Sequence, residues 1–335
     1  MDETTSLNKK QEDIFEGLNN AISNEVPSPS LTTEANQTQR AVSRIPYGTG
    51  TIGTLQGMSG KSVEERQDGK WTIRELVGTK VNVTFSWNSG AKLDTATEQF
   101  FCFLLMKVAE NNKNSRHLRI PLLEYMKARG GISEQLARKQ VNTFMKNLKG
   151  AEVQIQEETI TDFPNKNEIA VSIFEYRGKG RNKNGDEVAV KNGLIVAGFT
   201  ELFFETYLKH YPLKYFPEEL IAINTQLLPY SFEIGKEIEV HRNCTPIGDK
   251  ARNISRVATL VTKAEMPNEE SETAKRKFKE RVLIPFERAM DSLTYLEWWY
   301  LDGLEKGKVK RRDFYNARIQ TKLKGNFEKI EGKNE

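Results

Sequence analysis

The order of patterned segments in this 335-residue chain predicts an α+β fold of two tandem winged-helix domains behind a flexible acidic N-terminal arm. Three observations carry that prediction. Between residues 95 and 177, stretches of helical and strand periodicity come in the order helix, strand, helix, tight turn, helix, hairpin. The second half repeats this plan without convincing sequence identity to the first. Within it, "ETAKRKFKERVLIPFERAMDSL" (272–293) sets a basic first half, with Lys275, Arg276, Lys277, Lys279 and Arg281, before an apolar second half, with Val282, Leu283, Ile284, Phe286, Met290 and Leu293. A helix that only covers a core would spread its charge along one whole side. The expected divisions are an arm and linker over 1–45, a first domain over 46–198, a second over 199–325 and a tail over 326–335.

A short helix is expected around residues 7–22, where Ile14, Leu18 and Ile22 recur at helical spacing. The Ser-, Thr-, Pro-, Asn- and Gln-rich stretch from Ser23 to about Ser43 reads as a linker. Gly48-x-Gly50-x-x-Gly53 matches a dinucleotide fingerprint by letter. That fingerprint needs a buried strand before it, and here a polar linker precedes, so a glycine-rich entry strand or loop is the better reading. "KVNVTFSW" (80–87) alternates as a strand. "LDTATEQFFCFLLMKVAE" opens with Thr95-x-x-Glu98, the pattern of a capping box before an apolar helix. A short strand (117–120) and a helix from Pro121 to the Gly130–Gly131 turn follow.

The helix over 133–148 turns Leu136, Val141, Phe144, Met145 and Leu148 to one face and leaves Arg138, Lys139, Asn142, Lys146 and Lys149 outside it. "AEVQIQEETI" and "EIAVSIFEYR" then form the hairpin expected of a wing, and a further hairpin carries Arg177, Lys179, Arg181 and Lys183 at its tip. In the second half, one or two helices over about 215–243 lead to a short helix (253–265) with Ile254, Val257, Leu260 and Val261 inward. The basic-then-apolar helix comes next, and the strand around "YLEWWYL" returns through a basic tip with Lys306, Lys308, Lys310, Arg311 and Arg312.

Composition narrows the function. Residues 1–36 hold seven acids against Lys9 and Lys10, a net of −5, so with +4 overall the remaining chain carries about +9. Nucleic acid is the commonest anionic partner of such a body. No apolar run approaches the roughly 18 residues of a membrane span, and the first residues are polar and acidic, so a cytoplasmic protein without a membrane partner is expected. The two cysteines suit a reducing compartment. His117, His210 and His241 lie in separate segments, and His241 with Cys244 lacks the second pair that a structural zinc needs. Nucleophile-elbow, phosphate-loop and metalloprotease motifs are absent. No metal, cofactor or catalytic residue is expected, and the chain does not read as an enzyme.

DNA binding has positive support. A recognition helix reads bases chiefly with its N-terminal residues, while the rest must be held to the domain. Arginine or lysine donating to guanine O6 and N7 gives roughly 1–3 kcal/mol of discrimination per good pair. The basic tip after that helix sits where a wing would lie on phosphates, which supplies affinity rather than sequence reading.

At Phe278, Lys279, Arg281, Val282, Leu283 and Pro285 the sequence resembles the replication initiator (Rep) proteins of iteron-type theta-replicating plasmids and related mobile elements, which have a Phe-Lys-x-Arg-Val-Leu-x-Pro helix near the start of the second wing. The resemblance extends more loosely over about residues 80–320. It implies two winged-helix domains, repeats of double-stranded DNA at an origin as ligand, and a monomer–dimer switch coupled to initiation and autorepression. A second copy of the chain and a host helicase or helicase loader are the protein partners that go with it. By position, the readers would be Lys275, Arg276, Lys279 and Arg281 in the second domain and Arg138, Lys139 and Asn142 in the first. Lys146, Arg177, Lys179, Arg181, Lys308, Lys310, Arg311 and Arg312 would add DNA contacts. The acidic arm, the glycine-rich stretch 47–60 and the long "RGKGRNKNG" hairpin depart from the family pattern. A winged-helix repressor and a protein-interaction scaffold are the alternative readings. Pro285 is expected to bend the helix between its basic and apolar halves, and Arg281 has the alternative of a core-side ion pair with Glu287 or Glu237.

Overall fold

The computed structural model describes residues 44–46, 63–65, 71–73, 81–87, 94–148, 152–157, 169–172, 180–181, 187–301 and 303–324. The chain divides into Met1–Ala41 and Val42–Glu335, and the described residues belong to the second unit. The helix expected at 7–22, the linker, the Gly48–Gly53 stretch and the tail over 326–335 lie outside the described residues, as do Arg177, Lys179 and Lys183.

The fold is mixed α and β with small antiparallel sheets. Its elements run β1 (Arg44–Pro46), β2 (Val63–Glu65), β3 (Trp71–Ile73), β4 (Val81–Trp87), α1 (Thr95–Glu110), β5 (His117–Pro121), α2 (Leu122–Ala128), α3 (Glu134–Leu148), β6 (Glu152–Glu157), β7 (Ile169–Ser172), β8 (Gly180–Arg181), β9 (Glu187–Val188), β10 (Val190–Lys191) and β11 (Leu194–Gly198). They continue with α4 (Glu201–Phe203, prolonged by a π-turn over Phe204–Leu208), β12 (Leu213–Tyr215), α5 (Glu219–Ala222), α6 (Ser231–Cys244), a 3-10 turn (Lys250–Asn253), β13 (Ile254–Arg256) and α7 (Val257–Lys263). The last stretch is α8 (Glu272–Phe278), a π-turn (Lys279–Leu283), α9 (Ile284–Asp291), β14 (Leu296–Tyr300), α10 (Arg311–Asn316) and β15 (Arg318–Leu323).

Two three-stranded sheets have the same plan. In the first half, β5 leads from α1 to α2, and the order is β10-β11-β5. In the second, β13 leads from the 3-10 turn to α7, and the order is β14-β15-β13. In both, the last strand of the closing hairpin lies at the centre and pairs with the strand set between the helices. The architectural repeat is therefore in the topology as well as in the patterning.

The closing hairpin of the first half is not the one expected. β6 and β7 do pair, Glu152 with Ser172 through Ile155 with Ile169. They join β4 instead, in a sheet of order β2-β3-β4-β6-β7. The strands beside the helices are β10 and β11, turning through Asn192 and Gly193 at φ 50° and 71°. An Asn-Gly turn with both central residues at positive φ matches the twist of a tight hairpin. Ile195 and Ala197 of β11 are buried, as are Leu118 and Ile120 of β5, to which they are paired. That apolar match closes the core under the helices.

The N-terminus of α1 also differs from expectation. Its cap is Asp94, whose Oδ1 accepts from the Thr97 N–H at 2.7 Å, rather than Thr95 in a capping box with Glu98. Asp94 is the residue with extended backbone, at φ −87° and ψ 157°, so it sits where a side chain can reach the free N–H groups of the first turn. Glu98 points inward and is 1% exposed. The rest of α1 is nearly all buried, from Phe100 through Met106, as a continuous apolar run implies. Leu136 was expected on the buried face of α3 but is 42% exposed, and Ala137 takes the inward place.

Buried residues of both halves form one continuous core. Gly235 on α6 allows close approach there: a Cβ would meet Leu220 Cδ2 at 2.4 Å and Leu293 Cδ2 at 2.9 Å. β1 pairs with β12, tying residues 44–46 to 213–215.

Candidate nucleic-acid interface

Residues 272–291 form a helical rod in three parts, kinked at Lys277. Ser271 caps its start, its Oγ accepting from the Ala274 N–H at 3.1 Å. In the π-turn the Ile284 N–H donates to the Lys279 carbonyl, five residues back. This wide turn ends just before Pro285, which has no N–H to donate and whose ring crowds the carbonyl four residues earlier. The departure from helical dihedrals falls at Lys277, at φ −135° and ψ 46°, rather than at the proline. The irregularity lies within the basic half, ahead of the expected bend.

The division of labour along the rod is clear in its burial. Lys275, Arg276, Lys277, Lys279 and Arg281 are all exposed. Beneath them Ala274 is buried, and Phe278 meets Phe314 edge-on at 5.3 Å. Val282, Leu283, Phe286, Ala289 and Met290 are buried, and Phe286 meets Phe314 at 5.2 Å and Trp298 at 6.3 Å. Ile284, expected inward, is 46% exposed.

The cations are lightly held. Arg276 stands 3.5 Å from Glu272, and Lys275 stands 3.6 Å from Glu272 and 3.7 Å from Glu270. Exposed pairs of this kind are worth about 0–1 kcal/mol, so a phosphate or base edge displaces them at little cost. Arg276, Lys277 and Arg281 line an open groove of about 540 Å³ with Glu272, Thr273, Pro267 and Tyr230. Glu287, the alternative partner of Arg281, instead accepts from the Gly307 N–H at 2.9 and 3.0 Å and from the Tyr300 hydroxyl at 3.3 Å. Tyr230 was not singled out in the sequence; it comes from the turn before α6, far along the chain.

On α3, Lys139 and Lys146 are exposed. Arg138 is half-buried and pairs one turn back with Glu134 at 2.6 Å. Asn142, expected among the readers, is half-buried, and its Oδ1 accepts from the Ala189 N–H at 2.8 Å. Its amide oxygen is occupied in tying α3 to the start of the closing hairpin. That hairpin places Lys191 in solvent at its turn. The Asn192-Gly193 pair is the local sequence signal for this second tip. Arg181 is described only by its backbone, paired in β8 with Glu187 of β9.

In the second half the basic tip is partly folded. α10 lies inside it, with Phe314 and Tyr315 buried. The Tyr315 hydroxyl donates to the Pro267 carbonyl at 2.8 Å, and Arg311 Nη1 donates to the Glu269 carbonyl at 3.3 Å. Arg311 is thereby engaged in holding the turn before α8. Lys306 sits 3.7 Å over the Trp298 ring and 2.8 Å from Asp291, pinned back onto the domain. Lys308 is exposed and paired with Glu305, while Lys310 and Arg312 are exposed.

Among the described residues no three of His, Cys, Asp and Glu are grouped to hold a metal ion. No described helix is long and apolar enough to cross a membrane.

No protein-family model and no curated protein matches the chain. Among solved structures, it is similar to a crystal structure of domains 2 and 3 of RctB at 14% identity and a TM-score of 0.49, covering 84% of this chain and 99% of that one. A selenomethionine derivative of the same two domains gives 12% identity and a TM-score of 0.46, with 81% and 98% covered.

Proposed function

We propose that the chain binds double-stranded DNA sequence-specifically at repeats in a replication origin, initiates replication of a plasmid or mobile element and represses its own gene. In this reading the helices and three-stranded sheets of residues 46–198 and 199–325 are two winged-helix domains. The first half of the 272–291 rod enters the major groove, with Lys275, Arg276, Lys279 and Arg281 facing bases and phosphates. Lys139 and Lys146 act similarly from α3, and the turn of the β10–β11 hairpin with Lys310 and Arg312 contacts backbone. A second copy of the chain and a host helicase or its loader complete the proposed assembly, and no catalytic step is assigned to the chain.

The single observation that carries the reading is the outward placement of all five cations on the first half of a rod whose second half buries Val282, Leu283, Phe286, Ala289 and Met290. The likeness of its residues 278–285 to the Rep motif selects an origin over other duplex targets. Footprinting on DNA flanking the chain's own gene is the test. Protection of tandem repeats beside an AT-rich tract is expected, and Lys275→Ala/Arg276→Ala should lose that protection while keeping its circular dichroism. Unchanged protection by the double variant rejects this choice of recognition helix.

A further inference from the structure

The two proposed readers are joined by an unbroken chain of contacts that passes through buried charge. Asn147 Nδ2 at the end of α3 donates to Thr97 Oγ1 on α1 at 3.0 Å, and Phe144 meets Phe100 at 5.7 Å. One residue from Thr97, Glu98 crosses from α1 to α6, where Lys236 Nζ reaches its Oε1 at 2.5 Å and Glu233 Oε2 at 2.7 Å. On α6 the link continues to the far end of the second reader's helix: the hydroxyl oxygens of Ser231 and of Ser292, just past α9, lie 2.8 Å apart within hydrogen-bond distance. Beside this path, Arg129 Nη1 donates at 2.6 Å both to Gln99 Oε1 and to the Ile221 carbonyl of α5.

Cohesion does not require this arrangement. Removing charges from water is costly, and a buried ion cluster is commonly matched or exceeded in stability by apolar side chains of similar volume. Lys236 and Glu98 are 2% and 1% exposed, inside a core already continuous across both halves. Two carboxyl groups share one ammonium, and burial together with Glu233 holds the Glu98 carboxyl well above the usual carboxylate range. What such a cluster adds over apolar packing is direction: an ion pair with hydrogen-bond geometry has one arrangement, where greasy faces can slide. Fixing register is the best-attested use of buried polar groups.

We infer that Glu98, Lys236 and Glu233 are positioning residues that fix α3 and the 272–291 rod at one separation and orientation, and so fix the spacing of the two duplex segments that the protein accepts. The inference rests on the DNA-binding reading above and adds a spacing rule to it. None of the three residues touches DNA; they act through α1 and α6.

The test uses the full chain and the duplex footprinted by the wild type. Copies of that duplex carry 2 or 5 base pairs inserted between the two protected segments, the latter about half a helical turn. The wild type should lose at least about 10-fold in affinity on the 5-base-pair insertion, because simultaneous engagement is lost. The variant Glu98→Gln/Lys236→Met/Glu233→Gln should fold and bind, but with less than about 3-fold difference between spacings. Should that variant not fold, Glu98→Met, which removes the contact across to α6 and leaves Lys236 paired with Glu233, serves for the same comparison. Equal spacing discrimination by the variant and the wild type overturns the inference, as does wild-type protection of a single segment. Absence of any wild-type protection defeats the DNA-binding reading first, so the two failures are distinct.

Discussion

Asn142→Ala separates a structural from a reading role on α3. The Asn142 side chain gives the Ala189 N–H its acceptor at 2.8 Å, and Ala189 is 3% exposed. Alanine removes the acceptor and leaves a buried donor without one. Such an orphan costs about 1–3 kcal/mol, more than the hydrogen bond's net contribution, because the desolvation of the N–H is no longer offset. At about 2–4 °C per kcal/mol for a large domain, the unfolding midpoint should fall by roughly 2–12 °C. Thermal unfolding followed by circular dichroism measures that shift, and anisotropy of a labelled duplex, well below the midpoint, measures binding. The expected pattern is lowered stability with affinity within about 3-fold of wild type. Lys139→Ala should do the reverse, since Lys139 is exposed. An Asn142→Ala protein that melts with the wild type yet loses DNA binding would refute the structural assignment and restore Asn142 as a reader.

Further outcomes follow from burial and charge. Phe286 is fully buried against Trp298 and Phe314, so Phe286→Ala should cost about 3–5 kcal/mol in denaturant unfolding. Glu98, whose carboxyl is held high by burial and Glu233, binds its proton more tightly folded than unfolded. Its stabilising contribution is therefore full below the ordinary glutamate value of about 4.3 and is lost as pH rises through the raised one. Glu98→Gln removes this slope, so the stability of the variant relative to wild type should increase as pH is raised from about 4 to about 8. A pH-independent difference would contradict the assignment.

Much of the architecture was legible because periodicity reports on packing. The apolar run of α1, the Gly130–Gly131 turn and the basic-then-apolar rod each state their burial in local residue order. What escaped were choices made at long range. Thr95-x-x-Glu98 has the letters of a capping box, but Glu98 is taken by Lys236, far away on α6, and Asp94 caps instead. The alternation of β6 and β7 marks a hairpin, yet its pairing with β4 depends on a strand some 65 residues earlier in the chain. A two-residue strand such as β10 has too few positions to show alternation, so only its Asn-Gly turn could have announced it. Among the candidate DNA contacts, exposure of Lys275, Arg276, Lys279 and Arg281 followed from patterning. The engagement of Asn142 and Arg311 with backbone did not, because each partner belongs to another element.

The most direct measurement is the salt dependence of binding to the duplex protected by the wild type, from about 50 to 200 mM, for the wild type and for Lys275→Ala/Arg276→Ala. Each phosphate neutralised contributes roughly −0.9 to the slope of log K against log salt. A steep negative slope is expected for the wild type, and one shallower by up to about 1.8 for the double variant with weaker binding at every salt concentration. Affinity that stays flat across this range, or identical lines for the two proteins, would contradict a DNA interface built on the 272–291 rod.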